Sequence, residues 1–404
     1  MLKRFISAVL CVMLALTSTV AYISDSGSYV VEAAVDYDTP YYYSQMSEDA
    51  KKAYNELKAA VLECTGKVKV KASISQEDFD MIAELLILHD PMTFNVADIE
   101  ANDVTRNSAV FSIKYTYSKE TYDKMAAAYE KKVNEILAKL TDDMNRYQKI
   151  RIIHDEIIKN TVYDLESSAN DTIYGTLVKK KGKCDGYAKT FSYICAKAGI
   201  RTVTVIGSAA RDGSTEMHMW NKVYYNNKWY NVDTTWDDPV SNLKKNYNYD
   251  YFMISDAEIS RSHVEDNFSF KVPKADDDSI SYYKVNKKCA DDLESAKSLI
   301  KSGITAAAKN RVPYYEFKCS SKAVFDETVK YANDTKKISE LLKSVKKDTG
   351  SKLVTSVYSY GFNDEQYTIR FLIFYENTTI GSYFTETDSI DSELIKKLAG
   401  FGIK

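Results

Sequence analysis

Met217-His218-Met219-Trp220-Asn221-Lys222-Val223-Tyr224-Tyr225, then Asn226-Asn227, then Lys228-Trp229-Tyr230-Asn231-Val232-Asp233-Thr234-Thr235 reads as two strand-like runs about an Asn-Asn pair. That pair predicts a hairpin with a two-residue type I′ turn, because Asn tolerates the left-handed backbone such a turn demands. A two-residue turn pairs Tyr225 with Lys228, setting Trp220 opposite Asp233 and His218 opposite Thr235. Asp233 then shares a face with His218, one diagonal step away. Diagonal neighbours stand about 7–8 Å apart, within reach of a His–Asp hydrogen bond. A three-residue loop would turn Asp233 to the opposite face.

Upstream, Lys183-Cys184-Asp185-Gly186-Tyr187-Ala188 opens a predicted helix. Tyr187, Phe191, Ile194 with Cys195, and Ala198 recur at helical spacing and make its buried face, and Gly199 ends it. Cys184 therefore lies in the first turn, where free N–H groups and the positive end of the helix dipole stabilise an anion. The same N–H groups could serve a developing oxyanion. Cys195 faces the core as a packed thiol. Taken alone, Cys184 also reads as a buried cysteine. Followed by a hairpin holding His218 and Asp233 on one face, it reads as a nucleophile facing an imidazole that an acid orients. Between them, Val203, Val205 and Ile206 make a short strand, and Ser208 to Thr215 reads as a polar loop.

A chain of 404 residues suggests two to four domains. Only 5 Pro and 14 Gly occur, which excludes a long disordered or collagen-like chain. A net charge of -3 supplies no general electrostatic reason to bind nucleic acid. Lys3 and Arg4 before the apolar run Phe5 to Leu16 read as a secretion signal over residues 1–34, too short an apolar run to span a bilayer comfortably. The mature protein is thus expected to be secreted or extracellular, without stable membrane insertion. After cleavage Cys64, Cys184, Cys195, Cys289 and Cys319 remain. An odd number leaves at least one free, and isolated buried thiols are the simplest expectation. No Cys-x-x-Cys pair and no acidic cluster calls for a metal, so no cofactor is expected. Helix and strand patterns place an α+β domain at 35–140, the chemistry-bearing segment at 141–270, and a second α+β domain at 279–404. In the last, Ala290 to Ile300 and Phe325 to Val345 read as helices, with a hairpin about Gly361-Phe362-Asn363-Asp364.

The central segment resembles the transglutaminase-like superfamily, in particular its bacterial secreted members. The resemblance rests on Gly182-x-Cys184-x-Gly186-Tyr187-Ala188, Gly199-Ile200, His218-x-Trp220-Asn221-x-Val223 and Trp229-Tyr230-x-Val232-Asp233-x-Thr235-Trp236-x-Asp238-Pro239. Ile153-His154-Asp155, Tyr163-Asp164 and Tyr174-Gly175 add to it. It covers about residues 145–270 and implies a papain-like core, a helix carrying Cys packed on an antiparallel sheet carrying His and Asp. It also implies Cys184 as nucleophile, His218 as general base and acid, and Asp233 as orienting acid. The implied chemistry is acyl transfer on amide bonds through a thioester, resolved by water or by an amine. The substrate expected is a protein or peptide, cell-wall peptide included.

Tyr174, ten residues before Cys184, is a candidate side-chain oxyanion donor, with an ordinary packed tyrosine as the favoured alternative. Trp220 and Trp236 are candidate walls of the substrate cleft, though core packing explains them equally well. His89, His154 and His263 are expected to be structural, the last in a loop–helix segment after Ser255-Asp256. A catalytically idle extracellular binding protein on the same domain is the alternative reading. The complete Cys–His–Asp set weighs against it. Asp233 as third member also weighs against a papain-like class that uses a second His there.

Overall fold

A computed structural model describes residues 39–211, 213–238, 247–266, 268–379, 383, 392–401 and 403. The expected signal segment, residues 1–34, and Pro239 of the motif lie outside the described residues. The chain divides into two compact units, Met1–Asp238 with His263–Asp276, and Pro239–Ser262 with Asp277–Lys404. These units are drawn differently from the breaks expected at 140 and 270. Elements before residue 140 pack into one body with the central segment. Tyr42 is buried and its Oη donates to the Thr204 carbonyl at 2.8 Å. Lys197 Nζ donates to Glu130 at 2.8 Å. Residues 239–262 belong instead with the C-terminal elements.

In the first unit, Lys67–Val70, Ser108–Tyr115 and Val96–Thr105 form an antiparallel sheet in that order. The helices Glu48–Leu62, Gln76–Glu84 and Lys119–Leu137 are capped by Ser47, Ser75 and Ser118, each accepting from a first-turn N–H. The strand Val96–Thr105 carries no readable alternation in the sequence, because only Val96 and Ile99 of it are buried.

The helix Cys184–Lys197 follows, with Tyr187, Phe191, Ile194 and Cys195 on its buried face. It packs on antiparallel strands ordered His263–Glu265, Thr202–Arg211, Ser214–Tyr225, Lys228–Val232. Tyr225 pairs with Lys228, and both turn residues, Asn226 and Asn227, take positive φ. The polar loop expected at 208–215 is strand on both sides of a tight turn, with Ser208 paired to Met217 and Ala210 to Thr215. Hydrogen bonding to a neighbour on each side overrides its weak apolar pattern: Ser208 pairs with Val264 and Ala209 with His263 on the far edge.

In the second unit, Cys289–Ala290, Tyr314–Cys319, Thr368–Tyr375 and Leu353–Asn363 form a mixed sheet in that order. The expected hairpin is present, but its turn follows Asn363, which pairs with Thr368, so Gly361 and Phe362 are strand residues. Leu293–Asn310, Lys322–Ala332 and Thr335–Thr349 are its helices. The single helix expected over Phe325 to Val345 is two, because Asp334 caps a new start by accepting from the Lys337 N–H. Asp250 ties the described residues 247–262 to this unit: it accepts from Tyr283 Oη at 2.8 Å and from Asn363 and Thr368 at 3.1 Å each. The architecture is mixed α+β. Among the described residues no helix is long and apolar enough to cross a membrane.

Candidate active site

Cys184 is the first residue of its helix, half-buried, and packs beside Ala188, Ile206 and Met219. Lys183 stands at the N-cap with extended backbone and makes no side-chain cap bond. The first-turn N–H groups are therefore not taken by a capping side chain. Gly186 lets this turn approach the preceding segment: a Cβ there would lie 2.3 Å from the Asn170 carbonyl oxygen. Asn221 fastens helix to hairpin, its Nδ2 donating to the Ala188 carbonyl at 3.1 Å and to Ser192 Oγ at 2.9 Å.

His218 faces this helix from the strand Ser214–Tyr225, opposite Gly207. Its Nε2 meets Asp233 Oδ2 at 2.7 Å, the contact that the hairpin register predicts. Nε2 is engaged by Asp233, and a hydrogen bond with Cys184 contributes to the charge balance of the ring. Burial alone would favour neutral His218, but the Asp233 charge, then hydrogen bonds with Asp233 and Cys184, push its pKa up to about 10. Asp233 is fully buried just past the strand Lys228–Val232. Its Oδ1 accepts from the Thr235 N–H at 2.9 Å and the Trp236 N–H at 3.1 Å. Burial would raise its pKa, yet the His218 charge and hydrogen bonds from His218 and His263 hold it well below the usual carboxylate range. His263, expected in a loop–helix segment, is on an edge strand instead, with its Nε2 3.0 Å from the same Asp233 Oδ2. Gly207 makes room where these strands meet: a Cβ there would lie 3.0 Å from the Trp220 ring and 2.0 Å from the Val264 carbonyl oxygen. The ligating atoms of His218, Asp233 and His263 lie within 4.8 Å of one another, near enough to surround an ion. Their 2.7 and 3.0 Å separations from one oxygen are those of hydrogen bonds.

Residues 112–234 match the model of the transglutaminase-like superfamily, a span that contains Cys184, His218 and Asp233 and stops short of His263. The chain contains a transglutaminase-like domain. The kyphoscoliosis peptidase of Mus musculus is 30% identical over 161 residues, covering 35% of this chain and 24% of that protein. Its Homo sapiens counterpart is 29% identical over 160 residues, with the same coverages of 35% and 24%. The chain thus spans about a quarter of the curated relatives it matches. A solved TGase structure is 16% identical, with 51% of this chain and 60% of that chain covered at a TM-score of 0.27.

The other aromatic candidates are Trp220, Trp236 and Tyr174. Trp220 is 1% exposed, and its Nε1 donates to Asn231 Oδ1 at 3.1 Å. Trp236 is 9% exposed, its ring 5.8 Å from that of His218 and 4.5 Å from that of His263. Both rings pack against the imidazoles of His218 and His263. Tyr174 opens the π-helical turn Tyr174–Lys179 and sits beside Lys179. Tyr163 lies on the strand Val162–Tyr163, which runs parallel to Lys181–Gly182, just before Cys184. It is half-buried. Burial, followed by the charges of Cys184, Glu216, Asp185 and Asp233, raises its pKa to about 12, so its hydroxyl keeps its proton. The signal for it was present in Tyr163-Asp164, but pairing with Gly182 is a non-local contact that spacing does not reveal.

Behind the site, His154 is buried between Asp155 at 3.0 Å and Asp237 at 3.1 Å. Tyr187 donates to the adjacent Asp238. These bonds clamp the turn after Asp233 to two helices. Burial opposes charge on His154, but the two carboxylates raise its pKa from 6.5 to about 9. A raised folded-state value stabilises the fold fully below pH 6.5 and loses that contribution as pH rises through about 9. His154→Leu is expected to cost about 3–5 kcal/mol at pH 6. The deficit should shrink by pH 9.5, measured by urea unfolding at both values. A pH-independent deficit would show that His154 is neutral in the fold.

Proposed function

We propose that this chain is a secreted cysteine peptidase or related amide acyl-transfer enzyme, working through Cys184, His218 and Asp233. The observation that carries the reading is His218 set between a helix-start thiol and a buried, four-donor carboxylate. His218 takes the Cys184 proton, and Sγ attacks the carbonyl carbon of a peptide or side-chain amide. The tetrahedral oxyanion forms beside the uncapped N–H groups of the first turn, with the Tyr163 hydroxyl as a further donor. His218 returns its proton to the departing nitrogen, the C–N bond breaks, and a thioester remains. Water then gives up a proton to His218 and attacks the thioester, releasing a carboxylic acid and restoring Cys184. The peptidase names of the curated relatives favour water as acceptor. Protein or cell-wall peptides outside the cell are the proposed substrates.

The direct test is alkylation of the mature protein by iodoacetamide, with peptide mapping. Cys184 should label far faster than Cys64 or Cys289 at neutral pH, and His218→Ala should abolish the difference. Slow labelling of Cys184 would move the protein to the idle binding domain. Tyr163→Phe should lower turnover of dye-labelled casein by roughly a hundredfold, with KM little changed. A normal kcat in that variant would remove Tyr163 from the oxyanion site.

A further inference from the structure

Two imidazoles meet at Asp233 Oδ2, and the triad accounts for His218 but leaves out His263. Its Nε2 is 3.0 Å from that oxygen, while His218 Nε2 is 2.7 Å from it. The other carboxylate oxygen is already held by two backbone N–H groups. Those bonds fix Oδ1 but leave Oδ2 free to swing about it, and Oδ2 is the atom that aims His218. His263 supplies the missing constraint from a separate strand. Its ring is itself held by Trp236 at 4.5 Å and Trp220 at 5.1 Å. His263 is 2% exposed, so no solvent stands ready to replace its donor.

We infer that His263 is a positioning residue for the Cys184 chemistry: its Nε2–H, donated to Asp233 Oδ2, pins the carboxylate oxygen that orients His218. The inference rests on the cysteine-enzyme reading above. The site is thus a four-residue chain, Cys184, His218, Asp233, His263, in which the fourth member touches no reacting atom. Sharing one oxygen between two imidazoles also keeps both in the Nε2–H form, so His218 presents an acceptor nitrogen to the thiol whenever it is neutral.

The test compares His263→Phe, a ring of similar size without the donor, with His263→Gln, whose amide N–H reaches the Nε2 position. The readout is the rate of Cys184 carbamidomethylation by iodoacetamide at neutral pH, with thermal melting run in parallel. His263→Phe should slow labelling roughly tenfold to a hundredfold, the scale of a lost hydrogen bond to a charged group. His263→Gln should recover most of the parent rate even where both variants melt equally early. Equal slowing in both would assign His263 to packing and overturn the inference, as would a parent-like rate in folded His263→Phe. Slow labelling in the unaltered protein would instead overturn the cysteine-enzyme reading itself. Should His263→Phe fail to fold, histidine-¹⁵N spectra of the unaltered protein decide: a proton on His263 Nε2 is expected, and a bare Nε2 would overturn the inference.

Discussion

Cys184→Ala is expected to abolish amide hydrolysis, since loss of a covalent nucleophile costs on the order of 10⁶ in turnover. The fold should hardly notice. Cys184 is half-buried at a helix start, and its loss removes one sulfur from contact with Ala188, Ile206 and Met219. A penalty of about 1 kcal/mol is the expected scale. The check is casein cleavage together with a melting curve. An unaltered melt with no cleavage places the chemistry at this thiol. Full cleavage in the variant would sink the assignment of Cys184 as nucleophile, whatever the geometry around it.

Asp233→Asn should be nearly as damaging, for a different reason. The asparagine carbonyl oxygen would keep the bonds from the Thr235 and Trp236 N–H groups. Its NH₂ would then face Nε2 of both His218 and His263. Both rings would have to accept at Nε2, moving the His218 proton to the nitrogen that faces Cys184. A ring in that tautomer cannot take the thiol proton, and a comparable change in a serine triad lowers turnover about 10⁴-fold. Loss of the Asp233 charge also removes the largest influence raising the His218 pKa, so that value should fall from about 10. The pH dependence of Cys184 alkylation and the kcat on casein measure the two effects. An unchanged pH profile would mean that Asp233 does not orient His218.

Much of this site is local enough to read along the chain. Asn226-Asn227 admits the two positive-φ positions of a tight turn, so the pairing of Tyr225 with Lys228 follows, and with it the approach of Asp233 to His218. The apolar spacing from Tyr187 to Cys195 places Cys184 at a helix start. Alternation failed where strands are polar or short. Val96–Thr105 has two buried positions, and Ser208 and Ala209 take their strand state from neighbours on both sides. Trp220 and Trp236 have the composition of either a cleft wall or a core, and both are buried against the imidazoles.

The sequence by itself determined the hairpin, the helix that Cys184 opens and the pair His218–Asp233, because each depends on spacing within a turn or a helix. Only the tertiary structure decided that His263, thirty residues beyond Asp233, closes on the same carboxylate oxygen. It also decided that Tyr163 pairs with Gly182, two residues before Cys184, and feels the charge of the thiol. Those placements arise where separate strands meet, at Ala209 with His263 and at Gly182 with Tyr163. Such registers are set by burial and hydrogen bonding between distant segments, and no periodicity within a single segment carries them.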